Sequence, residues 1–217
     1  VSIDVKICGL TRVEDIQACA TLGARWVGLV FHPASPRFID PHHAATLHAA
    51  IPTPAQGGPY RVGLFVKPSC EDILSLLQNV PLDILQLYTD EATALHIKHA
   101  TGKEVWLARG VTHKEDLPHS SALDGYIIEA PAQAGDTRPG GLGRTFDWSL
   151  TKTWHAPAPW LLAGGLTPHN VAEAITTSKA PAVDVSSGVE ERPGVKSAAL
   201  IEAFIKNSQK GACSHHK

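Results

Sequence analysis

Eight times along the chain, a short run of β-branched or apolar residues is followed by a turn and a stretch with helical periodicity. The runs are Ile3–Cys8, Trp26–Phe31, Arg61–Val66, Ile84–Tyr88, Val105–Arg109, Gly125–Glu129, Trp160–Ala163 and Ala182–Ser186. They read as nearly continuous apolar segments, as strands of a parallel sheet covered on both faces do. The segments between them place apolar residues three and four apart: Val13, Ile16 and Ala20 in Arg12–Leu22, Ile73, Leu76 and Leu77 in Ser69–Gln78, Ala94, Leu95 and Ile97 in Glu91–Ala100. Pro41–Ala50 is a further helix. Pro168–Thr176 opens with Thr167 as N-cap and Pro168 in the first turn. Val195–Lys206 closes the chain. Thr112–Leu117 and Asp147–Lys152 are shorter candidates. Alternating β and α units demand parallel pairing, and eight units within 217 residues suffice for a closed barrel. The expected class is therefore α/β, a (β/α)8 TIM barrel in a single domain. Residues 1–210 form the barrel and 211–217 a mobile C-terminal tail. A doubly wound open sheet is the competing architecture.

Composition narrows function by exclusion. A formal net charge of -2 with no basic tract argues against a nucleic-acid partner. No apolar run reaches the ~20 residues of a membrane span, so no membrane partner is expected. Val1–Gly9 lacks a basic start leading into a long apolar run, so no leader is expected and a cytoplasmic location is. Cys8, Cys19, Cys70 and Cys213 form no C-x-x-C pair, and the adjacent histidines His42-His43 and His215-His216 lack the i, i+4 spacing of a helical metal site. No metal is expected.

In a barrel, chemistry collects where strands end. Those positions hold Cys8-Gly9, Pro33–Arg37, Gln86 and Tyr88, Arg109, Glu129, Asp184, and the glycine-rich sets Gly140–Gly143, Gly164-Gly165 and Ser186-Ser187-Gly188. The turns after strands seven and eight suit a phosphate, because glycine lets backbone N–H groups approach an anion closely. Gly164, Gly165, Ser186, Ser187 and Gly188 are the candidate ligands, with Gly141 and Gly143 as a third set.

Five motifs in order resemble the phosphoribosylanthranilate isomerase family. They are Lys6–Thr11, Ser35-Pro36-Arg37, Gly140–Gly143 with Phe146-Asp147-Trp148, Ala163–Leu166, and Val183–Glu190. The resemblance spans about residues 3–206. It implies a (β/α)8 barrel of tryptophan, and so aromatic amino acid, biosynthesis. The implied reaction converts N-(5-phosphoribosyl)anthranilate to 1-(2-carboxyphenylamino)-1-deoxyribulose 5-phosphate. This is an Amadori rearrangement that needs neither metal nor organic cofactor. A general acid opens the furanose ring and a general base removes the C2′ proton.

By the same resemblance Cys8 is the base, Arg37 binds the anthranilate carboxylate, Gln86 is retained as a substrate contact, and Asp184 contacts the sugar hydroxyls. Lys6 shares strand parity with Cys8, so both face the lumen, and its charge is expected to favour the thiolate. The family's acid is an aspartate where this chain has Glu129, and its Gln-Leu-His-Gly reads Gln86-Leu87-Tyr88-Thr89 here. Glu129 is the expected acid, with Asp136 as rival. Glu129 shares parity with Ile127, so the two must face the same way. The implied partner is a phosphosugar substrate, and the expected form is a monomer. A histidine-pathway aminoaldose isomerase, a dual-specificity relative, and a catalytically silent phosphosugar-binding barrel are the alternatives.

Overall fold

A computed structural model describes residues 2–119, 122–136, 138–140 and 142–213. Eight parallel strands close into a barrel in sequence order. They are β1 (Asp4–Cys8), β2 (Trp26–Val30), β3 (Tyr60–Val66), β4 (Ile84–Tyr88), β5 (Glu104–Gly110), β6 (Gly125–Glu129), β7 (Trp160–Leu162) and β8 (Ala182–Val185). Closure is made by β1 pairing with β8, which sets Lys6 opposite Asp184. The open-sheet alternative is thereby excluded.

Among the described residues, six α-helices pack outside: α1 (Val13–Thr21), α2 (Pro41–Ala49), α3 (Cys70–Leu77), α4 (Glu91–Thr101), α5 (Val171–Ser178) and α6 (Ala198–Cys213). Their starts follow local chemistry. Asp40, Ser69 and Asp90 each accept a hydrogen bond from the backbone N–H three residues on, satisfying a donor that the first helical turn leaves orphaned. The α5 boundary falls three residues later than expected, with Asn170 before it. Thr167 is thus not the N-cap; its carbonyl accepts from Val171 N–H and its hydroxyl from His169 N–H in the turn that leads into the helix. Among the described residues, the fifth and sixth units show no α-helix and hold 3-10 turns, Lys114–Asp116 and Trp148–Thr151. Both segments are too short to repay helix nucleation. Trp154 helps to fill that side of the wall, stacking edge-on with Trp160 at 5.3 Å and donating its indole N–H to the Pro118 carbonyl.

Two expectations at the C-terminal end are corrected. Val195-Lys196 is not helical but forms β10, paired antiparallel with β9 (Glu190–Arg192). A two-stranded hairpin thus rises from the end of β8 before α6 begins. The proposed tail begins too early as well, because α6 runs on to Cys213 and Gly211 is buried. A Cβ at Gly211 would lie 2.9 Å from Ile175 Cβ, so the small residue lets α6 lie close on α5. Residues 214–217 lie outside the described residues.

Strand parity divides the apolar residues into two layers. One layer lies between sheet and helices. The other plugs the lumen with Val62, Ile84, Trp106, Ile127, Leu161 and Ala182, and Trp26 stacks edge-on with Trp106 at 5.3 Å. Ile127 therefore faces inward, and Glu129, two residues further along β6, also enters the lumen. Above this dry floor the interior becomes polar.

Candidate active site

The upper lumen opens into a pocket of about 690 Å3 at the C-terminal ends of the strands. Cys8, Arg37, Gln86, Glu129, Gly143, Gly164, Gly165, Asp184, Ser186, Ser187 and Gly188 all line it. The strand-end candidates are thus brought together except Arg109, while Gly141 lies outside the described residues. Arg109 points the other way, pairing with Glu91 at 3.3 Å on the barrel exterior. Its odd position on β5 opposes that of Trp106 and Ala108, which face the lumen.

Cys8 ends β1 within the wall, and Gly28 of β2 gives it room. A Cβ on Gly28 would stand 2.7 Å from the Cys8 sulfur. Lys6, one pleat below, is fully buried and its ammonium lies 3.0 Å from Asp184 Oδ1. Burial by itself would lower the Lys6 pKa, but Asp184 and Cys8 more than offset it and hold the ammonium charged. Lys6 acts on Cys8 in the expected direction, favouring the thiolate, but does not prevail. Burial pushes the Cys8 thiol up, and the neighbouring Lys6 offsets only part of that because Asp184 opposes it.

Glu129 faces Cys8 across the mouth, 6% exposed. Burial raises its pKa to about 8, with a hydrogen bond from the Tyr88 hydroxyl and the charge of Lys6 working against a further rise. At neutral pH the carboxyl therefore carries its proton. Asp136 has the opposite character. It is clamped by Arg144 through two hydrogen bonds of 2.6 and 2.8 Å and accepts from the Gln133 N–H. Those bonds hold it down at about 2. It does not line the pocket.

Arg37 is buried, but one edge of its guanidinium is already used. Nε and Nη2 bind the two carboxylate oxygens of Glu190 at 2.7 and 2.8 Å. Glu190 also accepts from Lys196 Nζ at 2.8 Å. The hairpin thus grips Arg37 from behind and leaves the Nη1 edge for a ligand. Arg138, unforeseen from the sequence, lines the same pocket, and the charge of Arg37 is among the causes that lower its pKa. No sequence pattern marked Arg138, because only the path of the long loop after β6 brings it over the mouth.

Gln86 is 1% exposed, and neither its amide oxygen nor its nitrogen has a hydrogen-bond partner among the described residues. A buried, unsatisfied amide costs ~1–3 kcal/mol, which marks it as a group awaiting a ligand.

Three loops meet at the other side of the pocket. Gly164 and Gly165 both have positive φ, +86° and +64°, a backbone path that favours glycine. A Cβ at Gly165 would lie 3.0 Å from the Gly143 carbonyl oxygen, and one at Gly188 would collide with that of Leu166. The N–H groups of Gly164 and Gly165 donate to no backbone carbonyl among the described residues. The Ser186 hydroxyl is engaged elsewhere, donating to the Cys8 carbonyl at 3.1 Å and approached by Lys196 at 3.3 Å. It ties β8 to β1, so its side chain is not open to a phosphate as Ser187 is.

A (β/α)8 barrel whose mouth gathers a buried carboxyl, a cysteine, glycine-rich loops and guanidinium groups has the make-up of an acid–base enzyme acting on a small anionic substrate. The sequence matches the model of the N-(5'-phosphoribosyl)anthranilate isomerase family over residues 5–207. The chain belongs to that family. It is 46% identical over 201 residues to the N-(5'-phosphoribosyl)anthranilate isomerase of Acidiphilium cryptum, covering 92% of this chain and 95% of that one. It is 44% identical over 210 residues to that of Paracoccus denitrificans, covering 94% and 96%. Among solved structures, the phosphoribosyl anthranilate isomerase of Thermotoga maritima superposes with a TM-score of 0.79 at 34% identity, over 95% of this chain and 98% of that one. A phosphoribosyl anthranilate isomerase in complex with reduced 1-(o-carboxyphenylamino)-1-deoxyribulose 5-phosphate matches with a TM-score of 0.80 at 33% identity, over the same shares. These relatives carry the anthranilate name, which favours neither the histidine-pathway enzyme nor a silent barrel.

Proposed function

We propose that this chain catalyses the family reaction, the Amadori rearrangement of N-(5-phosphoribosyl)anthranilate in tryptophan biosynthesis, with Glu129 as acid and Cys8 as base. The observation that carries this reading is the buried Glu129 carboxyl lining the same pocket as Cys8, with burial raising its pKa to about 8. Glu129 gives its proton to the ring oxygen as the nitrogen lone pair forms C=N and the C1′–oxygen bond breaks, leaving an open-chain iminium. Cys8 takes the C2′ proton, and the electron pair moves to form the enolamine. Loss of the O2′ proton and protonation at C1′ complete the aminoketone, so the overall change is an isomerisation.

Charge at the two sides of the pocket orients the substrate. Gly143, Gly164, Gly165, Ser187 and Gly188 suit the phosphate through backbone and hydroxyl donors, with Ser186 contributing backbone only. The Nη1 edge of Arg37 suits the anthranilate carboxylate. Gln86 and Asp184 suit the sugar hydroxyls, which would satisfy the orphaned amide. A cytoplasmic monomer is the form in which we expect the chain to act.

The test is turnover of N-(5-phosphoribosyl)anthranilate, followed by loss of its fluorescence, in two variants. Glu129→Gln should lose at least ~100-fold in kcat, the scale of a positioned general acid, and Asp136→Asn should lose little. The reverse ranking would give the role to Asp136.

A further inference from the structure

We infer that Tyr88 is a positioning residue for Glu129, its hydroxyl holding one carboxyl oxygen so that the other presents its proton to the pocket. The inference rests on Glu129 being the acid and adds what makes that carboxyl effective.

Tyr88 ends β4 and Glu129 ends β6, with β5 between them, so their contact spans the mouth of the barrel and depends on both long side chains. The phenol hydroxyl lies beside the Glu129 carboxyl, placed to donate to it. The loop after β6 lies over the pair. A Cβ on Gly140 would stand 2.5 Å from Tyr88 Oη and 3.2 Å from Glu129 Oε1. Glycine at 140 thus lets the backbone cover the bond and keep water from competing for it.

Two of the positions at which this chain departs from the family pattern, 88 and 129, are therefore neighbours in the pocket. Moving a carboxyl outward by one methylene misplaces its proton unless something fixes the longer side chain, and ~1 Å of misplacement costs rate steeply. The Tyr88 hydroxyl supplies that restraint. It also remains a donor across the working range, since burial first, and then Glu129, hold the phenol well above its ordinary pKa.

The other groups around Glu129 do not provide the restraint. Lys6 and Cys8 face it from β1 and Asp184 from β8, while Arg138 lies in the covering loop. Lys6 is committed to Asp184 at 3.0 Å. A phenylalanine at 88 would keep the ring and remove only the donor.

Tyr88→Phe is the test, measured as kcat, KM and the pH dependence of kcat on N-(5-phosphoribosyl)anthranilate. We expect kcat to fall about tenfold with KM changed less than about twofold. The inflection near pH 8 should move upward by about half a pH unit, because a donor to the carboxylate has been lost. In a Glu129→Gln background, Tyr88→Phe should have no further effect, the non-additivity expected of groups that act as one. An unchanged kcat and inflection in Tyr88→Phe, with Glu129→Gln inactive, overturns the positioning role alone. Activity retained in Glu129→Gln overturns the acid assignment and this inference with it. Should Tyr88→Phe fail to fold, Gly140→Ala crowds the same hydroxyl and must move the same inflection upward, and an unmoved inflection there overturns the role.

Discussion

Cys8 and Glu129 are both buried, and burial raises the proton affinity of each. The thiol lies above the ~8.5 of a free cysteine, while the carboxyl titrates at about 8. The resting pair is therefore thiol and carboxylic acid, and the reactive form, thiolate with carboxylic acid, is a minority. The kcat–pH profile should accordingly rise to an inflection near pH 8 and turn down only at a higher value set by Cys8. Because the two groups share neighbours, these are values of the pair. Cys8→Ser should fold yet lose most turnover, since a hydroxyl is a far weaker base, and near-normal activity in that variant would remove Cys8 from the mechanism. Gln86 makes a contrasting case. Its unsatisfied amide is costly in the free protein, so Gln86→Leu should hold or raise the melting temperature while KM rises by about tenfold. A fall in stability with KM unchanged would show the amide to be structural.

Among the elements, the hairpin β9–β10 decides more of the site than its length suggests. It holds Glu190 and Lys196, and Glu190 holds Arg37 by a two-pronged pair. The Lys196 ammonium also reaches the Ser186 carbonyl at 3.0 Å, tying the hairpin to the loop after β8. Removing the charge of Glu190 leaves Arg37 and Lys196 uncompensated in a buried setting, at a cost of about 3 kcal/mol. Glu190→Gln should therefore lower the melting temperature and raise KM as Arg37 loses its orientation. Arg37→Ala should lower kcat/KM at least ~10-fold through the lost charge-assisted contact. If Glu190→Gln destabilises without touching KM, the hairpin supports the fold but not the carboxylate site.

At the scale of the whole molecule, the site is held against stability. Glu129 titrates near 4.3 in an unfolded chain and at about 8 in the native one. Between those values the folded protein keeps a proton that the unfolded chain has released, so stability falls as pH rises across that window. Asp136, held at about 2, acts in the opposite direction, its contribution being lost only as pH falls through the acid range. Glu129→Gln should therefore unfold at a higher temperature than the parent at pH 8, with the difference shrinking toward pH 4. An equal difference at both pH values would mean that Glu129 is not titrating in this range. The eightfold alternation, the closed barrel, the inward parity of Lys6 and Cys8 and the shared parity of Glu129 with Ile127 were legible in the sequence. Each follows from periodicity within a few residues, and a strand end needs only its own parity to aim a side chain. The convergence of the glycine loops was legible too, because barrel topology assigns the ends of β7 and β8 to one mouth. The grip of Glu190 on Arg37, the arrival of Arg138, the capture of the Ser186 hydroxyl and the contact of Tyr88 with Glu129 were not. Each joins residues far apart in the chain, and their distances exist only once the barrel has closed. The protonation of Cys8 belongs with them. Sequence placed a lysine beside the thiol, but burial and Asp184, set by the tertiary structure, outweigh that lysine.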